Sequence, residues 1–200
     1  MQRKEYSAGA VKLSFWFSEF RKVVLLLQGG KSMSDIRLLA ETENIFSAVS
    51  ELRRKQIFLT VSMRVSVLSD RYYYIMESSS IETQKLVVLI SIMNTDTLFF
   101  DFMHDVFREK LITGDTILAD MDIRVFFRNK QRESEKVAAW KDETLKRLQK
   151  SYKSWLSEAG LLDHSVGDRK IIRPLIDCEL EALLIKTEMQ PILNALKGTR

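Results

Sequence analysis

Apolar residues recur at spacings of three and four along almost the whole chain, and only two prolines and seven glycines interrupt them. That is the helical period, so the pattern predicts a mainly α-helical protein in which strands are scarce. Leu13, Phe17, Phe20, Val24 and Leu27 mark one face of a first helix. Gly29 and Gly30 end it, because glycine adopts positive φ without steric cost. Ser34 opens a short helix with Ile36, Leu39 and Ala40 turned inward, and a long helix is expected from about Ser50 to Met76. Ser79 and Glu82 have the spacing of a capping box and start a helix through Met93. Asp96 or Thr95 caps the next, LFFDFMHDVFREKLI, which stops at Gly114.

Beyond 114 the pattern changes character, which predicts a helical bundle subdomain over 1–114 and a second subdomain over 115–200. DMDIRVFFRNKQ (120–131) reads as a helix burying Ile123, Phe126 and Phe127, and SEKVAAW (134–140) as a shorter one. A third helix carries the apolar stripe Leu145, Leu148, Tyr152, Trp155 and Leu156, and ends at Gly160 with Leu161 folding back over its last turn. Two short apolar segments around a Gly-Asp turn predict a small β-hairpin, Leu161 to His164 against Arg169 to Arg173, which Pro174 ends. Helices at about 177–188 and 191–197, the latter with Pro191 in its first turn, close the chain. Helix, helix, turn, helix, hairpin is the order of a winged helix-turn-helix.

The net charge of +4 is unevenly spread. Residues 1–123 and 154–200 each sum to −1, whereas 124–153 hold ten Lys and Arg against four Asp and Glu, a local +6. Such an asymmetry speaks of a polyanionic partner and says nothing of fold. Lys146, Lys150 and Lys153 stand at i, i+4 and i+7 with Arg147 beside them, on the side of the third helix away from its stripe. A solvated face usually mixes signs, yet no acid lies between Leu145 and Trp155. The face reads as a nucleic-acid surface. Lys141, Thr144 and the first turn of that helix would approach a groove, while Arg169 and Lys170 on the wing reach the flanking backbone. Arg124, Arg128, Lys130 and Arg132 extend the strip, which Glu133, Glu135, Asp142 and Glu143 interrupt. ELRRKQ (51–56) adds a second basic knot, Arg53, Arg54 and Lys55. Two other partners use the same cations: an acidic protein, which would make the chain an interaction scaffold, or RNA bound by a helical bundle. The plainest alternative is an exposed basic face without a partner.

Catalytic chemistry finds no foothold. One cysteine, Cys178, excludes an internal disulfide and a Cys-based zinc site, and His104 and His164 lie far apart. GGKS (29–32) lacks the spacing and the preceding strand of a phosphate loop. Asp101, His104, Asp105 and Glu109 share a helix face at metal-ligand spacing, but four phenylalanines crowd the segment and no second ligand cluster exists. There is no GxSxG, HExxH, CxxC or paired-carboxylate signature, so neither an enzyme nor a small-molecule substrate, cofactor or metal is expected. VVLLL (23–27) and KLVVLISIM (85–93) fall far short of the roughly 18 apolar residues of a spanning helix. MQRKEYSAGA has no apolar core like that of a signal peptide, so the expected compartment is the cytoplasm, with no membrane partner.

The stretch YSAGAVKLSFWFSEFRKVVLLLQGGKSMSDI, the segment TENIFS (42–47), the run from Trp140 through Leu148 to LSEAGLL, and RKIIRPLI (169–176) together resemble the BrxA family. These are small accessory proteins of the bacteriophage-exclusion (BREX) defence systems of bacteria. The resemblance covers nearly the full chain and rests on a diffuse pattern. It implies a mainly helical, non-enzymatic component that binds double-stranded DNA and works beside other BREX subunits, among them a methyltransferase and a large ATPase. It transfers no binding residues, so the candidate positions remain those read from charge and helix phase.

Overall fold

The structure, a computed structural model, describes residues 3–199. It is mainly helical, as the periodicity predicts. α1 (Phe17–Gln28), α2 (Met33–Thr42), α3 (Glu51–Ser66), α4 (Asp70–Ser78) and α5 (Ile81–Thr95) form the first part. α6 (Thr97–Phe102) runs through a π turn at Met103–Phe107 into α7 (Arg108–Thr113). After the short strand β1 (Ile117–Leu118) come α8 (Asp120–Glu133), α9 (Glu135–Ala138), α10 (Asp142–Glu158), β2 (Arg169–Lys170), α11 (Cys178–Lys186) and α12 (Gln190–Lys197).

α5 is the hub. Every residue from Leu86 to Met93 is buried, and a helix that is apolar on all sides must be surrounded by others. Its neighbour α6 brings Phe99 and Phe102 into a packed aromatic cluster with α8 and α10. Phe99 meets Tyr152 at 4.9 Å and Trp155 at 5.1 Å edge to face, and Phe102 meets Phe126 at 5.4 Å. Buried residues from both sides of position 114 form one contiguous core. Tyr72 Oη and Thr187 Oγ1 share a hydrogen bond of 2.8 Å, and Arg173 donates to the Leu111 carbonyl, so the last helices dock onto the first part.

Several local expectations shift by a residue or more. The long helix from Ser50 to Met76 is two helices, α3 and α4, parted at Val67–Ser69. Val61, Val65, Leu68, Tyr72 and Ile75 are buried and keep the helical spacing across the break, so periodicity could not register it. The cap of α5 is Ser80, whose Oγ accepts from Thr83 N, while Ser79 Oγ donates to the Ile75 carbonyl at the end of α4. The cap of α2 is Ser32, in a reciprocal box with Asp35. Asp96 does cap α6, accepting from Phe99 N at 3.0 Å. The hairpin contracts to a bridge between Leu162 and Ile171 with flanking bonds. Its return strand, β2, finds a second antiparallel partner in β1, with Ile117 opposite Lys170 and Leu118 opposite Arg169. Among the described residues no single helix is long and apolar enough to cross a membrane; α5 and residues 97–113 reach that length and apolarity only together, and they are bent by 111° between them.

One charged side chain lies at the centre of this packing. Arg64 of α3 is 1% exposed, and its Nη1 donates to the carbonyls of Ser14 at 3.0 Å and Phe15 at 2.7 Å. Its guanidinium lies 5.7 Å from the ring centres of both Trp16 and Trp155. Burial pulls its pKa down to about 10, so it stays charged at neutral pH. It thereby ties the segment before α1, where Trp16 has the left-handed φ of 56°, to α3 and α10. Replacing it orphans two carbonyls and opens a cavity between the indoles. Arg64→Leu is therefore expected to cost about 3 kcal/mol or more, lowering the thermal midpoint by roughly 6–12 °C in a chain of this length. Thermal denaturation by circular dichroism measures it. Arg64→Lys should recover only part, because an ammonium cannot reproduce the planar stack.

Asp96 gives the fold a pH dependence of defined sign. Burial pushes its carboxyl up to about 6, against the opposing hydrogen bonds from Phe99 N and Leu98 N and the charge of Arg64. The folded state thus holds this proton more tightly than the unfolded chain, and stability falls as pH rises from about 4 to about 6. Asp96→Asn keeps a good cap and removes that loss. It should stabilise the protein by about 2 kcal/mol at pH 7.5 and have little effect near pH 4, as read from denaturant midpoints at the two pH values.

Candidate nucleic-acid interface

α10 is the most legible part of the candidate surface. Leu148, Tyr152, Trp155 and Leu156 are buried, so the stripe faces inward as its spacing requires. Asp120 at the start of α8 and Phe127 in its middle reach neighbouring positions on α10, Lys153 at 2.5 Å and Tyr152 at 5.7 Å between rings. α8 therefore meets α10 around residues 152 and 153. Lys146, Arg147 and Lys150, in the half of α10 ahead of that crossing, are exposed, as is Lys141 at its N-cap, and Thr144 is half-buried. Arg147 pairs with Glu143 at 3.4 Å, one turn back. Lys141, Lys146 and Lys150 form no ion pair among the described residues. Arg124, Arg128 and Arg132 are exposed on α8, and Lys170 is exposed on β2.

The other predicted cations are placed differently. Lys153 is 7% exposed and not part of the open strip. Its Nζ donates to the Asp120 carboxylate at 2.5 Å and to the Gly167 carbonyl at 2.8 Å, and the bond from Lys153 lowers the pKa of Asp120. Arg169 turns inward, donating to the Lys153 carbonyl at 3.1 Å and to Ser157 Oγ at 2.5 Å. Asp120 N donates to Asp168 Oδ1 at 2.8 Å. These bonds pin the turn 163–168 over the second half of α10. The cause is visible in the helix phase: Lys146, Lys150, Lys153 and Ser157 follow one line, and the turn covers its last two members.

Lys130 is likewise buried, at 7% exposure. Its Nζ lies 3.0 Å from Glu133, 3.3 Å from Asp105 and 3.7 Å from Asp101. Burial opposes its charge, but the hydrogen bond to Glu133 and the nearby negative groups outweigh it and hold the pKa above the ordinary lysine range. Asp101 also accepts two bonds of 2.8 Å from Arg3 and one of 2.6 Å from Tyr6, which fastens the chain's first residues to α6. Asp101 and Asp105 thus serve an ion-pair network, with His104 set between Asp105 and Arg108. The 53–55 knot is engaged too. Arg53 lies 4.9 Å from the Trp16 ring centre and bonds Gln56, Arg54 donates to the Glu41 carbonyl, and Lys55 pairs with Glu51 at 2.6 Å. The structure therefore leaves Lys146, Arg147 and Lys150 exposed along one side of α10 and Lys141 exposed at its N-cap, while Lys130, Lys153 and Arg169 are consumed by framework contacts.

Sequence reasoning missed Arg64. The signal was available, since Arg64 falls in phase with Val61, Val65 and Leu68 on the buried side of α3.

Comparison with known proteins identifies the family and the fold. The BrxA family model matches residues 4–188. A protein named BREX protein BrxA, from Bacillus cereus (strain H3081.97), is 43% identical over 164 residues, 82% of each chain. The crystal structure of an uncharacterized protein from Magnetospirillum magneticum has the same fold, with a TM-score of 0.83 at 19% identity over 98% of this chain and 100% of that one. On the extent of the family match and the identity to the Bacillus protein, the chain belongs to the BrxA family.

Proposed function

We propose that this protein is a non-enzymatic, largely sequence-tolerant double-stranded DNA-binding component of a BREX defence system, acting in the cytoplasm beside other BREX subunits. The defence role follows from the family and from the printed name of the Bacillus relative. DNA binding is carried by one observation: exposed cations, of which Lys146 and Lys150 form no ion pair among the described residues, cluster on the open half of α10, within the segment 124–153 that carries a net +6. In this reading residues 1–114 are the helical body. Residues 115–200 form a winged helix-turn-helix-like unit, with α8 and α10 as its helices and the turn 163–168 as its wing. Lys146, Arg147 and Lys150 meet phosphates, Lys141 and Thr144 lie at the leading end of α10, and Arg124, Arg128, Arg132 and Lys170 extend the contact along the backbone. Lys153 and Arg169 hold the wing in place.

The alternatives keep a place because they share the cations. An acidic protein subunit would be met by the same face, and RNA would be held by the same charges. Duplex DNA is favoured over RNA because a convex helix flanked by a wing suits a major groove, whereas the deep, narrow groove of an A-form helix does not admit it.

The test separates surface from framework. Lys146→Ala, Arg147→Ala and Lys150→Ala together should leave the thermal midpoint close to that of the wild type, since alanine is a good helix former and none of the three is buried. Duplex affinity should drop, and the slope of log K against log salt should become shallower by about 0.9 per lost contact, up to roughly 2.7. Lys153→Ala should instead cost about 2 kcal/mol of stability by stranding Asp120 and the Gly167 carbonyl. Mobility shifts at several salt concentrations, paired with thermal denaturation, read both. A well-folded triple variant with the wild-type slope removes α10 from the DNA surface. Loss of an acidic partner in a pull-down, with DNA binding unchanged, establishes the scaffold reading in its place.

A further inference from the structure

α3 carries a second apolar stripe besides the buried one. Leu52, Leu59 and Met63 are 80%, 65% and 40% exposed. At about 100° per residue they fall within about 40° of one another, so they form one line along the outer side of the helix. Single exposed leucines are ordinary, whereas a row in helical phase is an organised surface. Beside the line, between α2 and α3, lies a pocket of about 90 Å³ whose apolar lining is Ala40, Phe58 and Leu59. Its polar lining is mostly cationic: Arg37, Arg54 and Lys55, with Glu41 among them. Arg53 borders the line from the other side of α3. Arg53 and Arg54 bond only neutral acceptors among the described residues. Arg37 and Lys55 pair with Glu41 and Glu51 one turn away on their own helices, in exposed contacts that exchange partners at little cost.

We propose that the outer face of α3, with the pocket beside it, docks an amphipathic helix of a protein partner whose apolar stripe is bordered by Asp and Glu. Charge complementarity selects this occupant. Four cations, Arg37, Arg53, Arg54 and Lys55, surround the line against two acids, Glu41 and Glu51, so the border of the incoming helix is negative. Leu52, Leu59 and Met63 repeat at seven and four, the spacing at which helices laid against one another exchange anchors. The recess is smaller than the roughly 150 Å³ of a cavity that takes benzene, which suits one aliphatic side chain of the partner. A second copy pairing through the same face would set like charges against like. Duplex DNA would meet the cations but leave Leu52 and Leu59 in water. A lipid surface would leave the recess unfilled, and three side chains are too narrow a face for a helix lying in an interface. The face shares no residue with the proposed DNA contacts on α8, α10 and β2, and so adds a protein-binding site to that reading.

The probe is a fluorescein-labelled helical peptide of about three heptads with leucine at the a and d positions and glutamate at e and g, where the like charges also keep it from pairing with itself. One control peptide has lysine in place of glutamate, and another has glutamine in place of leucine. Titrated with the full chain and followed by anisotropy, the glutamate peptide should bind saturably and neither control should. Leu59→Ala should weaken binding about tenfold, the usual loss of one well-packed anchor. Arg37→Glu together with Lys55→Glu should turn the preference from the glutamate peptide to the lysine peptide. All three residues are exposed, so the thermal midpoints should stay near that of the wild type. Duplex DNA should leave the peptide bound. Absence of saturable binding up to about 1 mM peptide, equal binding of the lysine peptide by the wild type, or an affinity unchanged in Leu59→Ala would overturn the assignment. Displacement of the peptide by DNA, or pelleting of the chain with phosphatidylglycerol vesicles that Leu59→Ala abolishes, would give the face to that ligand instead. The peptide titrations contain no DNA, so their failure leaves the proposed function standing.

Discussion

The architecture depends on a buried positive charge. Arg64 is held by backbone carbonyls and two indole faces, with no carboxylate salt bridge among the described residues, and those contacts come from two distant parts of the chain, residues 14–16 and α10. The carbonyls of Ser14 and Phe15 come from the segment leading into α1, Trp16 from its left-handed entry residue, and Trp155 from α10. Hydrogen bonds from a charged donor to carbonyls are stronger than neutral ones, and removing the donor leaves acceptors that water cannot reach. The second half of α10, where Trp155 and Leu156 lie, is thereby anchored at the centre of the molecule. Its first half extends beyond that anchor and beyond the crossing with α8, and there its cations remain in solvent.

The fate of each cation follows from what covers its place on the helix. Lys146, Lys150 and Lys153 are alike in sequence and share one line along α10, yet only the third lies under the turn 163–168. There its ammonium neutralises Asp120 and accommodates the Gly167 carbonyl, and Arg169 closes the same joint from the strand side. The joint also receives Asp120 N on Asp168, so the start of α8, the turn and α10 are locked in one network. Lys130 follows the same logic on α8, drawn inward by Asp101, Asp105 and Glu133. A local charge of +6 therefore overstates the open positive surface, because two of its ten cations are neutralised inside the protein.

How much of this was legible depends on the range of the interaction. The helical class, the stripe of α10, the cap at Asp96 and the terminating glycines at 30, 114 and 160 are set by residues within a few positions of one another, and each was readable. The break between α3 and α4 was not, since the buried positions keep their spacing through Leu68. The pairing of β1 with β2 was not, since it joins positions more than fifty apart and neither strand exceeds two residues. For the candidate surface, helix phase separated stripe from cations correctly but could not see the turn that folds over Lys153. A charged residue in phase with an apolar stripe, as Arg64 is with Val61, Val65 and Leu68, is the sequence pattern of a buried cation with buried acceptors.

In the proposed DNA-binding role, the side chains left on the open face set the kind of recognition it would support. Reading base edges requires planar, multiply bonding groups held in fixed positions, such as arginine on guanine or glutamine on adenine. On α10 the lysines Lys146 and Lys150 are flexible point charges suited to phosphates, Arg147 is drawn back by Glu143, and Gln149 is hydrogen-bonded to Asp120. Glu133, Glu135, Asp142 and Glu143 border the cations and limit how far a continuous positive groove can extend. A face of this composition suits backbone contact that tolerates many sequences and weakens steeply with salt, and any selectivity for particular DNA would have to come from partner subunits or from the shape of the duplex.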